Sequence, residues 1–276
     1  MATLISLPDN GSTSSELQGG RRSSGGDSGS ITANECLRQN PDVMNGSLID
    51  RLWRDNCDLV SKFLRNEFCT SQAQQHNDEL FESSQYYSVQ DYYYLLEYAQ
   101  NEAFIWKSDL PQSELQLSTQ MNRAIRSLQD GLEYSMEFRH NLTSPDHLNV
   151  SEKVVEAGHL QAAPLGYVKW LRESTELGWF GFQVAKIACS YGWGELAHQL
   201  LVSDNTNKRT KFFQEWIEPN ADWSYGSRLS EHLEKVKAQY VTDETFEAYS
   251  LLFRQGISFE IGFFQSAIGK TLHDTA

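Results

Sequence analysis

Between Ser47 and about residue 270 the apolar side chains recur at three- and four-residue intervals, and nowhere do they alternate with a period of two. Leu48, Leu52, Leu59, Phe63 and Leu64 set the pattern, VQDYYYLLEYAQNEAFIW continues it from Val89, and DETFEAYSLLFRQGISFEIGFFQSAI repeats it from Asp243. No Asn-Gly turn separates β-branched runs, so hairpins are not expected. The pattern predicts an all-α fold without internal repeats. Helices are expected at about 48–64, from Ser88 as N-cap through the Tyr-rich run, at 113–141, 150–158, 164–175, 178–201 and 211–218, and at 224–240 and 243–270. Pro219 is expected to break the seventh of these. A domain of roughly 220 residues buries enough surface to need neither disulfide nor metal. Its 7 Trp, 12 Tyr and 14 Phe exceed what a surface uses, which points to an interior pocket able to stack flat rings.

The flanks differ in texture. Residues 1–45 are rich in Ser, Gly, Asn and Asp and are read as a disordered tail, because they offer too little apolar surface to offset ordering. Arg21 and Arg22 in that tail are read as solvated charges, with a transit peptide or a regulatory site as the alternative. Residues 46–270 form the helical domain, and 271–276 a short C-terminal tail. The net charge of −14, without a basic stripe, argues against nucleic-acid binding. No apolar run is long enough to span a bilayer, and the first residues lack the features of a secretory signal. Cys36, Cys57, Cys69 and Cys189 have no paired spacing, so reduced thiols and a cytoplasmic location are expected.

Three positions could carry chemistry. Asp91 and Tyr94 lie three apart on one helix, with Tyr87 and Tyr98 four residues to either side of Tyr94, so a carboxylate sits among phenols. Cys189 lies within KIACSYGWGEL with Trp193 one turn on. Most such cysteines are inert core residues, and a nucleophilic one needs a base or a positive field. Glu260 is flanked by Phe259, Phe263 and Phe264; facing inward, it would have a raised pKa suited to proton transfer. Three Glu-x-x-His pairs, Glu137/His140, Glu156/His159 and Glu195/His198, raise a di-iron hypothesis. On one straight helix, however, His198 would lie about 180° from Cys189, at ~100° per residue. No metal and no cofactor are therefore expected.

In this order and spacing, the positions resemble the TenA (thiaminase II) family. Gln90-Asp91-Tyr92-Tyr93-Tyr94-Leu95 is similar to the family's Gln-Asp-x-x-Tyr-Leu helix, and Tyr167, Cys189, Trp216-Ile217 and Glu260 with Phe263-Phe264 follow in sequence. The resemblance covers about Leu48 to Ala267. It implies a heme-oxygenase-like helical bundle and a homodimer or homotetramer. It also implies a site in which Asp91 binds an aminopyrimidine, Cys189 adds to the ring and Glu260 protonates the leaving group. Tyr94 would belong to the hydrogen-bond network of Glu260, and Tyr167 would stand near the substrate. Two positions depart from the family pattern: Trp193 and Asn220 stand where tyrosines are usual, and both are read as substrate-binding.

Three functions compete. The first is hydrolysis of an aminopyrimidine derived from thiamin or its breakdown products. Another is a tailoring reaction on a different small ring compound, motivated by Trp193 and Asn220. The last is ligand binding without catalysis, against which the joint presence of Asp91, Cys189 and Glu260 speaks.

Overall fold

The computed structural model describes Cys36, residues 38–108 and residues 114–276. Arg21, Arg22 and most of the Ser/Gly-rich segment lie outside the described residues. Within them the chain is helical and contains no strand. The elements are α1 (Leu48–Asp55), α2 (Cys57–Leu64), α3 (Glu67–Gln74), α4 (Phe81–Ser108), α5 (Glu114–Thr143), α6 (Glu152–Ala157) and α7 (Ala162–Ser174). They continue as α8 (Gly178–Ala185), α9 (Ile187–Ser190), α10 (Gly192–Leu201), α11 (Glu218–Asn220), α12 (Ser224–Val236) and α13 (Asp243–Ser266).

Local chemistry sets the breaks. Ser47 caps α1 by accepting from the Asp50 amide. Buried Asn56 turns its side-chain amide onto the Leu52 carbonyl (2.7 Å), which separates α1 from α2. Asn66 caps α3 through the Cys69 amide (2.8 Å); this helix is absent from the sequence expectation because EFCTSQAQ carries only a weak apolar stripe. Ser88 is not an N-cap. The helix starts seven residues earlier, at Phe81, and the Ser88 hydroxyl donates to the Ser84 carbonyl (2.9 Å) inside it. Pro219 does not end its helix either. It lies in the first turn of α11, after a π-helical turn at Phe213–Ile217.

α13 is the central element and packs against α2, α3, α7, α8 and α9. Gly256 allows this: a Cβ there would lie 2.6 Å from the Ala185 carbonyl oxygen of α8. α4 is buried on two sides. Tyr86, Tyr87 and Tyr94 join the main core, while Val89 and Tyr92 join a smaller one with Leu142, Leu148, Val150 and Val155.

The flanks are corrected in two respects. The segment just before α1 is part of the domain, with Cys36, Asn40 and Val43 buried. Gln39 and Asn40 donate their backbone N–H groups to the two oxygens of buried Glu195 (2.7 and 3.1 Å), and Arg38 forms a buried ion pair with Asp50 (2.9 Å). At the other end Thr275 is buried and its carbonyl accepts from the His159 amide (3.2 Å). The four-thiol expectation also fails: Cys36 and Cys57 form a disulfide (Cα–Cα 5.5 Å), leaving Cys69 and Cys189 as free thiols. The 21-residue separation of Cys36 and Cys57 belongs to no spacing motif, because a folded-back segment brings them together.

Candidate active site

The run expected as one helix over 178–201 is three pieces. Near-zero ψ at Lys186 and an irregular turn at Tyr191 isolate α9, four residues long, and Cys189 lies on it. The straight-helix argument about His198 therefore loses its premise, although His198 does turn away, onto the Trp223 ring (centroids 4.0 Å apart).

Six of the seven residues singled out from sequence come together. Asp91 and Tyr94 project from α4, Tyr167 from α7, Cys189 from α9, Trp193 from α10 and Glu260 from α13. The Tyr94 hydroxyl donates to Cys189 Sγ (3.6 Å). Fully buried Glu260 accepts twice: Oε1 from the Tyr167 hydroxyl (2.9 Å) and Oε2 from Trp193 Nε1 (2.9 Å). The Tyr94 and Tyr167 rings lie 5.1 Å apart, which joins the thiol side of the cluster to the carboxylate side. Asp91 is tied in through charge, because the Glu260 carboxylate acts on its titration. Asn220 stands apart. Its amide donates to the Trp216 carbonyl (2.8 Å) within its own segment, and it reaches the site only through the Trp216 ring, 5.8 Å from Trp193.

Burial dominates the electrostatics. It pushes the Glu260 carboxyl up to about 7, against the opposing effect of the Trp193 and Tyr167 donors. Desolvation and then the Glu260 charge push the Cys189 thiol up to about 11, while bonds from Tyr94 and Ser190 and the charge of Lys186 hold it down. Asp91 is raised well above the usual carboxylate range by burial and then by Glu260. A thiol so raised stays protonated near neutrality, so it needs a neighbour to take its proton. Glu260 has the right affinity.

Three buried polar atoms in this region have no partner: Asp91 Oδ1, Tyr87 Oη and Trp216 Nε1. Leaving such atoms unpaired is costly, and a ligand with both donors and acceptors would satisfy them. Cys189 as a residue is half-buried.

Sequence reasoning missed Tyr134 on α5. Half of it is exposed (51%), yet burial of its hydroxyl, followed by the charges of Asp91, Glu137 and Cys189, pushes its pKa up to about 12. It is thus a tyrosine at the rim of the site. Its context, Gly131-Leu132-Glu133-Tyr134-Ser135, holds no signal that could have marked it.

The Glu-x-x-His pairs do not assemble. Glu195 is consumed by the segment before α1, Glu156 lies 4.0 Å from Arg139, and His140 is exposed. Among the described residues no group of three or more His, Cys, Asp or Glu side chains is arranged to hold a metal ion.

This order of helices and side chains has relatives. Residues 81–270 match the TENA/THI-4/PQQC family. The chain belongs to that family. Among solved structures, a TenA homologue from P. horikoshii OT3 is 16% identical and superposes with a TM-score of 0.64, covering 80% of this chain and 98% of its own. A TenA homologue from Pseudomonas syringae pv. tomato is 9% identical (TM-score 0.61; 85% and 99% covered). A TenA-like thiaminase from Sulfolobus solfataricus P2 is 17% identical (TM-score 0.55; 81% and 96% covered). No curated protein matches the chain. The TenA resemblance is thus borne out, and at these identities the structural likenesses establish the fold. The TENA/THI-4/PQQC match begins at the first residue of α4, so α1–α3 lie outside it although they supply core residues such as Phe63 and Phe68. No helix among the described residues is long and apolar enough to cross a membrane.

Proposed function

We propose that this TenA-family chain is a thiaminase II-like hydrolase acting on an aminopyrimidine from thiamin or its degradation products. The observation that carries this reading is a thiol and a buried carboxyl titrating near 7, connected by two tyrosines, beside a second buried carboxyl with an unpartnered oxygen. The TenA-like thiaminase among the structural relatives supports it further.

The chemistry follows from the groups present. Asp91 offers a carboxyl to the ring nitrogen and exocyclic amine of an aminopyrimidine, an edge with one donor and one acceptor. As the Cys189 sulfur bonds to a ring carbon, the thiol proton passes to Glu260. The displaced ring electron pair forms a double bond to the exocyclic carbon, whose C–N bond breaks with its electron pair leaving on nitrogen, and Glu260 returns the proton to that nitrogen. Water then attacks the exocyclic carbon and gives a proton to Glu260; the ring double bond re-forms as the C–S bond breaks, and Glu260 passes the proton to the departing sulfur. No cofactor and no metal are invoked.

Cys189→Ala and Glu260→Gln are each expected to lower hydrolysis of aminopyrimidine by at least ~10²-fold, the usual scale for a positioned acid/base. Binding, followed as a thermal shift, should survive both changes. Hydrolysis at an undiminished rate by Cys189→Ala would sink this reading.

A second reading is favoured by Trp193, whose indole cannot accept a hydrogen bond as a tyrosine hydroxyl can. It retains the fold and makes the chain a tailoring enzyme for another small ring compound. Turnover of no aminopyrimidine, together with stoichiometric iron in the purified protein, would favour it.

Self-association is also proposed. On α5, Met121 (51%), Ile125, Leu132 and Met136 (65%) are exposed and fall on one stripe, a surface that a second copy would cover.

A further inference from the structure

The two donors on Glu260 are not equivalent. A phenol can rotate and become an acceptor, whereas an indole N–H only donates. When Glu260 takes up a proton, Tyr167 can reverse and accept from Oε1. Trp193 cannot do the same at Oε2, where the added hydrogen would meet the N–H head-on. The indole ring is held among Tyr87, Trp216 and Phe264, at centroid distances of 6.4, 5.8 and 6.2 Å. Its helix is anchored two residues on by Glu195, which receives Gln39, Asn40 and the Tyr191 hydroxyl.

We propose that Trp193 is a positioning residue that holds Glu260 as the charged base in the resting site and confines the proton it later receives to Oε1, on the Tyr167 side. The other titratable groups acting with Glu260 are Tyr87, Asp91 and Tyr94 from α4, Cys69 from α3, Tyr167 from α7 and Cys189 from α9. Each is an acid or a neutral group. The ammonium of Lys186, which acts on Cys189, donates to the Tyr98 hydroxyl. Tyr167 and Trp193 are therefore the two groups that counter the burial of the Glu260 charge.

The consequence is an order of events. Glu260 starts as a base and takes the Cys189 proton while the S–C bond forms. The same proton is the one it gives to the departing nitrogen. This order rests on the hydrolase reading; the claim about the resting charge needs no substrate, and its test uses none.

The test is a titration of Glu260 in substrate-free, full-length protein. Glutamate labelled with ¹³C at the side-chain carboxyl is followed by NMR, the Glu260 signal being the one lost in Glu260→Gln. Trp193 is then replaced by benzothienylalanine, which keeps the bicyclic ring and substitutes sulfur for the N–H, and separately by Phe. Both changes should raise the Glu260 midpoint by roughly one pH unit or more, the scale of a hydrogen bond to a charged group. An unchanged midpoint in the sulfur isostere, with native circular dichroism, overturns the proposal. An upward shift in a protein that hydrolyses no aminopyrimidine leaves the proposal standing and removes the hydrolase reading.

Discussion

Glu260 is a stability determinant as well as a proposed acid/base. Burial raises its folded pKa above the ordinary 4.5, so the folded chain binds this proton more tightly than the unfolded chain does. That stability is complete below about 4.5 and is lost as the pH climbs through about 7. The shift corresponds to about 3 kcal/mol, and Asp91, raised in the same direction, acts with the same sign. Glu260→Gln should therefore gain on the wild type in thermal melts as the pH moves from 5 to 8. An equal difference at both pH values would contradict this. Asp91, Tyr94, Cys189 and Glu260 were legible in the sequence because chemistry-bearing residues stood out against apolar runs. The contact between Trp193 and Glu260 was not, since 67 residues and a broken helix separate the two. Asn220 was misplaced for a related reason: a π-helical turn just before it changes which way its side chain faces.

Among the elements, α13 and α8 approach most closely at Gly256. Gly256→Ala should destabilise the protein by about 1–3 kcal/mol, the usual scale for overpacking, because the neighbour it meets is a backbone carbonyl that cannot rotate away. Chemical denaturation measures this, and an unchanged midpoint would show that the two helices can separate freely. On α5, Leu132→Lys should lower the molecular mass seen by light scattering if the exposed stripe joins two copies; an unaltered mass would place any interface elsewhere. Long helices such as α5 and α13 were readable from periodicity alone. The short ones were not, because a cap such as Asn66, or a break such as Lys186, depends on local hydrogen bonds and not on a repeating stripe.

At the level of the whole molecule, the covalent link from Cys36 to Cys57 ties the segment before α1 to α2. Closing a loop of this length contributes about 3 kcal/mol through the unfolded chain, so Cys36→Ser should lower the thermal midpoint under non-reducing conditions, and reductant should have little further effect on that variant. A variant that melts with the wild type would show the bond to be energetically idle. Sequence texture missed this segment because a few buried residues, Cys36, Asn40 and Val43, were diluted among serines and glycines. The hold of that segment on Glu195 bears on modularity. The stretch matching the family starts at residue 81, yet the helix that presents Trp193 is fastened by backbone amides from residues 39 and 40. A gene fragment cut at the family boundary would strand a buried carboxylate with two of its donors gone. The stretch that matches the family is therefore not a transplantable unit, and recombination between relatives would have to carry the leading segment along with it.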